Sequence, residues 1–277
     1  MTITKETLEA FRARLQAEER GRSTVEKYLR DVRGFALWLG NRELTKETAA
    51  AWKAHLAEHY APATVNAALA ALNSFLRFAG REDCRVRFLK LQRRAFRDQS
   101  QELTQAEYAR LVAAAEARGK PRLALLIQTI GGTGIRVSET AYITVEAARE
   151  GRAQLALKGK IRTILLPAKL CHKLRSYAKA QGIASGPIFR TRTGKSLSRR
   201  QIWAEMKGLC RAAGVAPSKV FPHNLRHLFA VVFYKVCRDV VKLADVLGHS
   251  SIETTRIYLM TTEKEHQRQL DRLRLVS

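Results

Sequence analysis

Leu247-Gly248-His249-Ser250-Ser251-Ile252-Glu253-Thr254-Thr255-Arg256-Ile257-Tyr258 is the stretch from which the rest of the chain is best understood. Its apolar spacing predicts the end of one helix, over 239–247, and most of another, over 251–259. A tyrosine on such a helix is ordinarily a packing residue. What gives Tyr258 weight is its company upstream: an arginine in a glycine-rich segment (Arg136), a lysine between two strand-like runs (Lys158), and a histidine–arginine pair, His223 and Arg226.

Working outward, the second half of the chain reads as mixed. Helices are predicted over 104–118, 121–129, 168–180, 198–212 and 223–236, and short strands over 143–145, 153–157 and 161–166. The last two strands meet in a tight turn at Gly159. From Thr262 a final amphipathic helix carries Leu270, Leu273 and Leu275. The first hundred residues read as helices only. One begins near Thr4, with Leu8, Phe11 and Leu15 on one face. A second follows Ser23, with Glu26 completing a capping box and Tyr28, Leu29, Val32 and Phe35 facing inward. A third follows Thr45. The fourth starts near Pro62, carries Val65, Leu69, Leu72, Phe75 and Leu76, and stops at Gly80. Between these halves, residues 85–97 hold six basic residues and no acid, followed by Asp98-Gln99-Ser100-Gln101 and a capping box of Thr104 with Glu107. The expected organisation is a helical domain over 1–94, a basic and polar linker over 95–103, and a second domain over 104–277. The expected fold class is mainly α with a small antiparallel β-sheet in the second domain.

Composition narrows the partner. The chain has 277 residues, 46% of them hydrophobic, which is enough for a core and argues against wholesale disorder. Fifty Lys and Arg against 25 Asp and Glu leave a net charge of +25. Between Gly151 and Arg238 a single acid, Glu205, faces nineteen basic residues. A one-signed block that keeps helix and strand patterning implies a folded basic surface for a polyanion such as nucleic acid. No apolar run approaches the ~20 residues of a membrane span, and the first residues lack the apolar stretch of a secretion signal. Cys84, Cys171, Cys210 and Cys237 are scattered and read as reduced packing residues of a cytosolic protein.

The polar residues make a chemical set. Cleaving a phosphodiester with a side chain requires an in-line nucleophile, neutralisation of the charge that builds on the phosphorus, and protonation of the leaving oxygen. Arg136, in Gly131-Gly132-Thr133-Gly134-Ile135-Arg136, offers a planar fork suited to phosphate, with Glu139 placed to hold it. His223 and Arg226 stand at i and i+3 on one helix face, a second fork beside an imidazole that exchanges protons near neutral pH. Lys158 and Lys160, where the two strands meet, are the candidates for protonating the leaving oxygen. His249 can donate to a non-bridging phosphate oxygen. Tyr258 is the candidate nucleophile; a free phenol has a pKa near ~10, and nearby positive charge favours the phenolate at the moment of attack. A zinc site on His223 and His227 is the sharper rival, but the hydrolase pattern asks for Glu where Asn224 stands. Thr193-Gly194-Lys195-Ser196 is half of a phosphate-binding loop, with Phe189 at the first required glycine.

On these segments, together with Ser23-Thr24-Val25-Glu26-Lys27-Tyr28 and Pro62-Ala63-Thr64-Val65-Asn66, the chain resembles the tyrosine recombinases, or phage-integrase family, of simple two-domain type. The resemblance spans essentially the whole sequence. It implies a C-shaped two-domain clamp on double-stranded DNA, a covalent 3′-phosphotyrosine intermediate and a homo-tetramer on paired sites. It also implies that accessory proteins are possible partners, that neither metal nor nucleotide cofactor is required, and that the enzyme works in the cytoplasm at the nucleoid. It favours Lys158 over Lys160 as the acid. The DNA-contacting candidates are Ser23, Thr24, Lys27, Tyr28, Lys90, Arg93, Arg94, Lys160, Arg199 and Arg200. Two departures from the family pattern stand out, Leu228 where a hydroxyl residue is common and Leu259-Met260 after the tyrosine. The length argues against the extra arm-binding domain of larger phage integrases. Two other functions fit parts of the pattern: a nick-and-reseal enzyme of type IB topoisomerase kind, and a DNA-binding protein that does not cut.

Overall fold

A computed structural model describes residues 3–91, 99–157, 160–191, 193–258 and 263–273. The chain divides into two compact units, residues 1–93 and 94–277.

The first unit is all helical: α1 (Lys5–Ala17), α2 (Arg22–Leu39), α3 (Lys46–His59) and α4 (Pro62–Phe78). Local signals set the boundaries. Thr4 accepts from the Thr7 amide at the start of α1, Thr45 and Thr48 form a reciprocal cap on α3, and Pro62 occupies the first position of α4. Phe11, Leu15, Leu29, Val32, Phe35, Leu69, Leu72, Phe75 and Leu76 are buried, as their helical spacing requires. The Ser23–Glu26 capping box does not form. Helix α2 starts at Arg22 behind Gly21, so Ser23 already lies inside the first turn, and Glu26 pairs with Arg22 at 2.8 Å. After α4, two asparagines one heptad apart act as a surrogate strand. Asn73 brackets Val86 through bonds of 2.9 and 3.0 Å, and Asn66 brackets Leu89 through bonds of 2.9 and 2.8 Å. They fix the start of the basic segment that carries Arg85, Arg87 and Lys90.

The second unit is built on α5 (Gln105–Ala117) and α6 (Pro121–Thr133), followed by a 3₁₀ segment Val137–Tyr142 and α7 (Val145–Glu150). The antiparallel pair β1 (Arg152–Leu157) and β2 (Lys160–Leu165) comes next. Then follow α8 (Ala168–Ala180), α9 (Arg199–Lys207), α10 (Cys210–Ala213), α11 (Pro222–Cys237), α12 (Val240–Leu247), α13 (Ile252–Arg256) and α14 (Glu263–Arg272). The Thr104–Glu107 capping box forms, at 2.8 and 3.1 Å. Helix α6 lies centrally, packed on α5, α8 and α11, with nearly every apolar side chain from Leu123 to Ile130 buried.

Three further expectations change. Residues 143–145 are not a strand: Thr144 caps α7 by accepting from the Ala147 amide, and only a single bridge to Pro187 remains of the extended pairing. The helix expected over 198–212 breaks at Gly208 into α9 and α10. The helix before Tyr258 ends at Arg256, so Tyr258 sits on the turn that follows. Cys84, Cys171 and Cys210 are buried, whereas Cys237 is exposed. Among the described residues no helix is long and apolar enough to cross a membrane.

Candidate active site

The site is assembled at the carboxyl end of α12. Asp239 starts this helix by accepting from the Val241 and Lys242 amides, both at 2.9 Å, and Gly248 ends it at φ +63°. A helix end leaves carbonyls without intrahelical partners and carries partial negative charge. Here three consecutive carbonyls each accept from a different arginine. Arg162 Nη2 donates to Val246, Arg226 Nη2 donates to Leu247 at 2.7 Å, and Arg136 Nη2 donates to Gly248 at 3.3 Å. Guanidiniums from β2, from α11 and from the residue before the 3₁₀ segment thus meet at one point.

Glu139 offsets their mutual repulsion. It is 1% exposed. Its Oε2 accepts from the Arg136 amide at 2.8 Å and its Oε1 accepts from Arg136 Nη1 at 2.9 Å. Arg162 Nη1 lies 3.2 Å from both oxygens. The expected hold of Glu139 on Arg136 is therefore present, shared with a second arginine. Arg136 keeps 44% of its side chain exposed and presents its outer edge to solvent. Arg226, by contrast, is 2% exposed, with Nη1 donating to the Gly134 carbonyl at 2.5 Å. Gly134 ends α6 in the left-handed region at φ +65°, and a Cβ there would meet Phe229 at 2.3 Å. Burial, then the charge of Arg136, pulls the Arg226 pKa down to about 10, while the nearby Tyr258 hydroxyl acts in the opposite direction. Three cations share one carboxylate, so the site favours an arriving anion.

His249 follows Gly248. Its Nε2 lies 3.0 Å from Arg226 Nη2 and its Nδ1 lies 2.9 Å from Thr255 Oγ1. A guanidinium only donates, so Nε2 accepts, and the ring proton assigned from this network sits on Nδ1 and points at Thr255. Desolvation, then Arg226, Arg136, Arg162 and His223, lowers the His249 pKa to about 4. In this state the ring is an acceptor at Nε2; donation to a phosphate oxygen requires a proton at Nε2, taken up when the anion binds or moved there by a switch of tautomer with Thr255 then donating to Nδ1. The Tyr258 ring stacks on His249, with centroids 6.0 Å apart and planes 11° apart, and meets His227 edge-on at 5.0 Å. Tyr258 is 3% exposed.

His223 lies at the start of α11, its pKa lowered first by desolvation and then by Arg226 and Arg136. Asn224 is a structural residue, its amide donating to the Gln101 carbonyl at 2.8 Å and to that of Lys219 at 2.7 Å. Arg136, Arg226, His249 and Tyr258 are thus brought together, with His223 in their field. Lys158, Arg93 and Arg94 lie outside the described residues, as does the Lys160 side chain. Arg199 and Arg200 are exposed in the first turn of α9, and Lys90 and Ser23 are exposed on the other unit. Thr24, Lys27 and Tyr28 are half-buried on α2, and Lys27 is paired with Asp31 at 2.6 Å. Leu228 packs on the core of the second unit.

Sequence reasoning missed Arg162 and Thr255. Strand alternation carried a signal for the first: Arg162 pairs across the hairpin with buried Leu155 and shares a face with buried Ile164, an unusual place for an arginine.

Comparison with known proteins gives the family. Residues 101–265 match the model of the Phage integrase family, and residues 8–83 match that of the phage integrase N-terminal SAM-like domain. The chain belongs to the phage integrase family. Within it, this integrase-family chain is 28% identical to tyrosine recombinase XerA of Thermococcus kodakarensis, over 100% of this chain and 98% of that protein. It is 30% identical to tyrosine recombinase XerD of Xanthomonas campestris, over 95% and 90%. Its fold is similar to that of a lambda integrase(75–356) dimer bound to a core site, with TM-score 0.74, 18% identity and coverage of 93% and 95%. It is also similar to a lambda integrase tetramer bound to a Holliday junction, with TM-score 0.73, 18% identity and coverage of 91% and 76%.

Proposed function

We propose that this integrase-family chain is a site-specific tyrosine recombinase that cleaves and rejoins double-stranded DNA through a 3′-phosphotyrosine. The observation that carries the reading is the convergence of Arg136, Arg226 and His249 at the end of α12, with the Tyr258 ring stacked on His249. The two guanidiniums take the non-bridging oxygens of the scissile phosphate, and the Tyr258 oxygen attacks phosphorus. The phenolic proton passes to a histidine of the site, His223 or His249, as the 5′ oxygen departs, and that oxygen takes its proton from Lys158. His223 and His249 supply and accept protons around the phosphate. Rejoining runs the same steps backward, with a 5′ hydroxyl attacking the phosphotyrosine, so the bond energy is kept and no nucleotide is consumed.

The set of DNA-facing groups extends to Ser23, Thr24, Lys27, Tyr28, Lys90, Arg93, Arg94, Lys160, Arg199 and Arg200. Two domains over 1–94 and 104–277, joined by the basic linker, close on the duplex as a clamp. Exchange takes place in a homo-tetramer on two sites, and α14 packs on a neighbouring subunit. In support, Leu270 and Leu273 of that helix are 47% and 58% exposed. A chain cut at Glu265 is expected to bind DNA and fail to form the tetramer; full assembly by the truncated chain would remove α14 from the account. The cytoplasm, at the nucleoid, is the compartment this chemistry needs.

Sequencing DNA ends bound covalently to the protein tests the function as a whole. The expected result is one recurrent site, with protein on 3′ phosphates and a fixed stagger. Ends scattered without preference would make the protein a nick-and-reseal enzyme, and no covalent ends would make it a DNA-binding protein that does not cut.

A further inference from the structure

Arg162 is the least expected member of the cluster. It stands on β2 opposite Leu155, inside the hairpin rather than at its tip, and its side chain is 16% exposed. Its Nη atoms donate to both oxygens of Glu139 at 3.2 Å and to the Val246 carbonyl in the last turn of α12, while among the described residues its buried Nε has no hydrogen-bond partner. The turn at Gly248 passes so close that a Cβ on that residue would lie 2.5 Å from Arg162 Cδ and 2.6 Å from its Nε. Gly248 therefore serves Arg162 as well as the helix stop.

From this arrangement we infer that Arg162 is a positioning residue for strand cleavage, pinning the β1–β2 hairpin to both the carboxylate that aims Arg136 and the helix end that carries His249. The inference rests on the reading of Arg136 as a phosphate ligand. Without Arg162, Glu139 keeps a single cation and is free to rotate toward it, drawing the Arg136 fork away from the phosphate. The Val246 carbonyl loses its donor, and the Gly248-His249 turn loosens. A lysine at 162 reaches one partner at a time, because a point charge cannot span the carboxylate and the carbonyl as a fork does. Displacements of about 1 Å in such a frame reduce rates by about 10²-fold.

The test uses the full chain on a nicked suicide duplex, with adduct formation timed at saturating protein and DNA affinity measured separately. Arg162→Ala is expected to slow adduct formation roughly 10- to 100-fold while changing affinity less than about threefold, since one remote guanidinium contributes little to a surface carrying the whole positive charge. Arg162→Lys falls between the two. Gly248→Ala, which displaces the Arg162 side chain, slows the wild-type background more than it slows Arg162→Ala, where only the strain of an alanine at φ +63° remains, because residues acting through one contact are non-additive. On a duplex whose scissile phosphorus carries a methyl group in place of one non-bridging oxygen, charge neutralisation matters less, and the Arg162→Ala defect shrinks. Wild-type rates in Arg162→Ala, a defect lying wholly in affinity, or a defect unchanged on the neutral phosphorus would each overturn the inference while wild-type adduct leaves the underlying reading intact. Absence of adduct from the wild-type chain overturns the reading itself. Should Arg162→Ala fail to fold, the Lys variant and Gly248→Ala decide the matter by the same criteria.

Discussion

Arg226 donates to two backbone carbonyls and an imidazole before any DNA arrives, so the plane of its guanidinium is set in advance. Preorganised donors of this kind typically contribute about 10²- to 10³-fold to a rate when they face developing charge. Arg226→Ala and Arg136→Ala are therefore expected to reduce adduct formation by at least that factor while leaving salt-sensitive DNA binding largely in place; rapid-quench kinetics beside filter binding checks both. Arg226→Lys is expected to be nearly as severe, since an ammonium cannot serve the Gly134 and Leu247 carbonyls together. The histidines give a pH signature. Both His223 and His249 have pKa values below that of an unfolded chain, His249 at about 4. Between that pH and about 6.5 the unfolded chain binds protons that the folded chain refuses, so stability rises with pH across this window and is lost as pH falls through it. Urea midpoints measured from pH 7 down to 4 should decline more steeply for the wild type than for His249→Gln. A phosphate in the site weakens the positive local field, so DNA binding should be accompanied by proton uptake over the same range.

At the scale of elements, a short helix organises the site through its end rather than its face. Three neighbouring carbonyls of α12 and its Gly248 stop collect guanidiniums from segments far apart in sequence. Loss of the Asp239 cap in Asp239→Ala is expected to destabilise the chain by about 1 kcal/mol and to lower cleavage further than that loss of stability explains, because the same helix presents the cage; chemical denaturation and adduct kinetics on one preparation separate the two. Much of the element order was readable from capping residues and apolar spacing: Thr4, Thr45, Pro62 and Thr104 mark helix starts where the chain has them. The failures have local causes. Ile143-Thr144-Val145 carries β-branched residues, but the Thr144 hydroxyl finds an amide three residues on and turns the chain into α7. Ser23 and Glu26 have capping spacing, yet Gly21 starts the helix sooner. At the site, Arg136, Arg226, His249 and Tyr258 were readable because chemistry restricts their types. Arg162 and Thr255 were not, since they act on other protein groups and their types are common anywhere.

For the whole molecule, the surplus of +25 sets how it meets DNA. Affinity should fall steeply and linearly in log–log form as salt rises, with a slope of about −0.9 per phosphate neutralised; a nearly flat dependence between 50 and 200 mM would contradict the basic surface inferred from residues 151–238. The central claim is narrower than the charge, and one experiment reaches it. The protein is trapped on a nicked duplex that lets the severed end diffuse away, the adduct is digested, and the modified peptide is identified by mass spectrometry. The account predicts a 3′-phosphonucleotide on the peptide containing Tyr258 and no adduct from Tyr258→Phe. A nucleotide found on another residue, or undiminished cleavage by Tyr258→Phe, would contradict it.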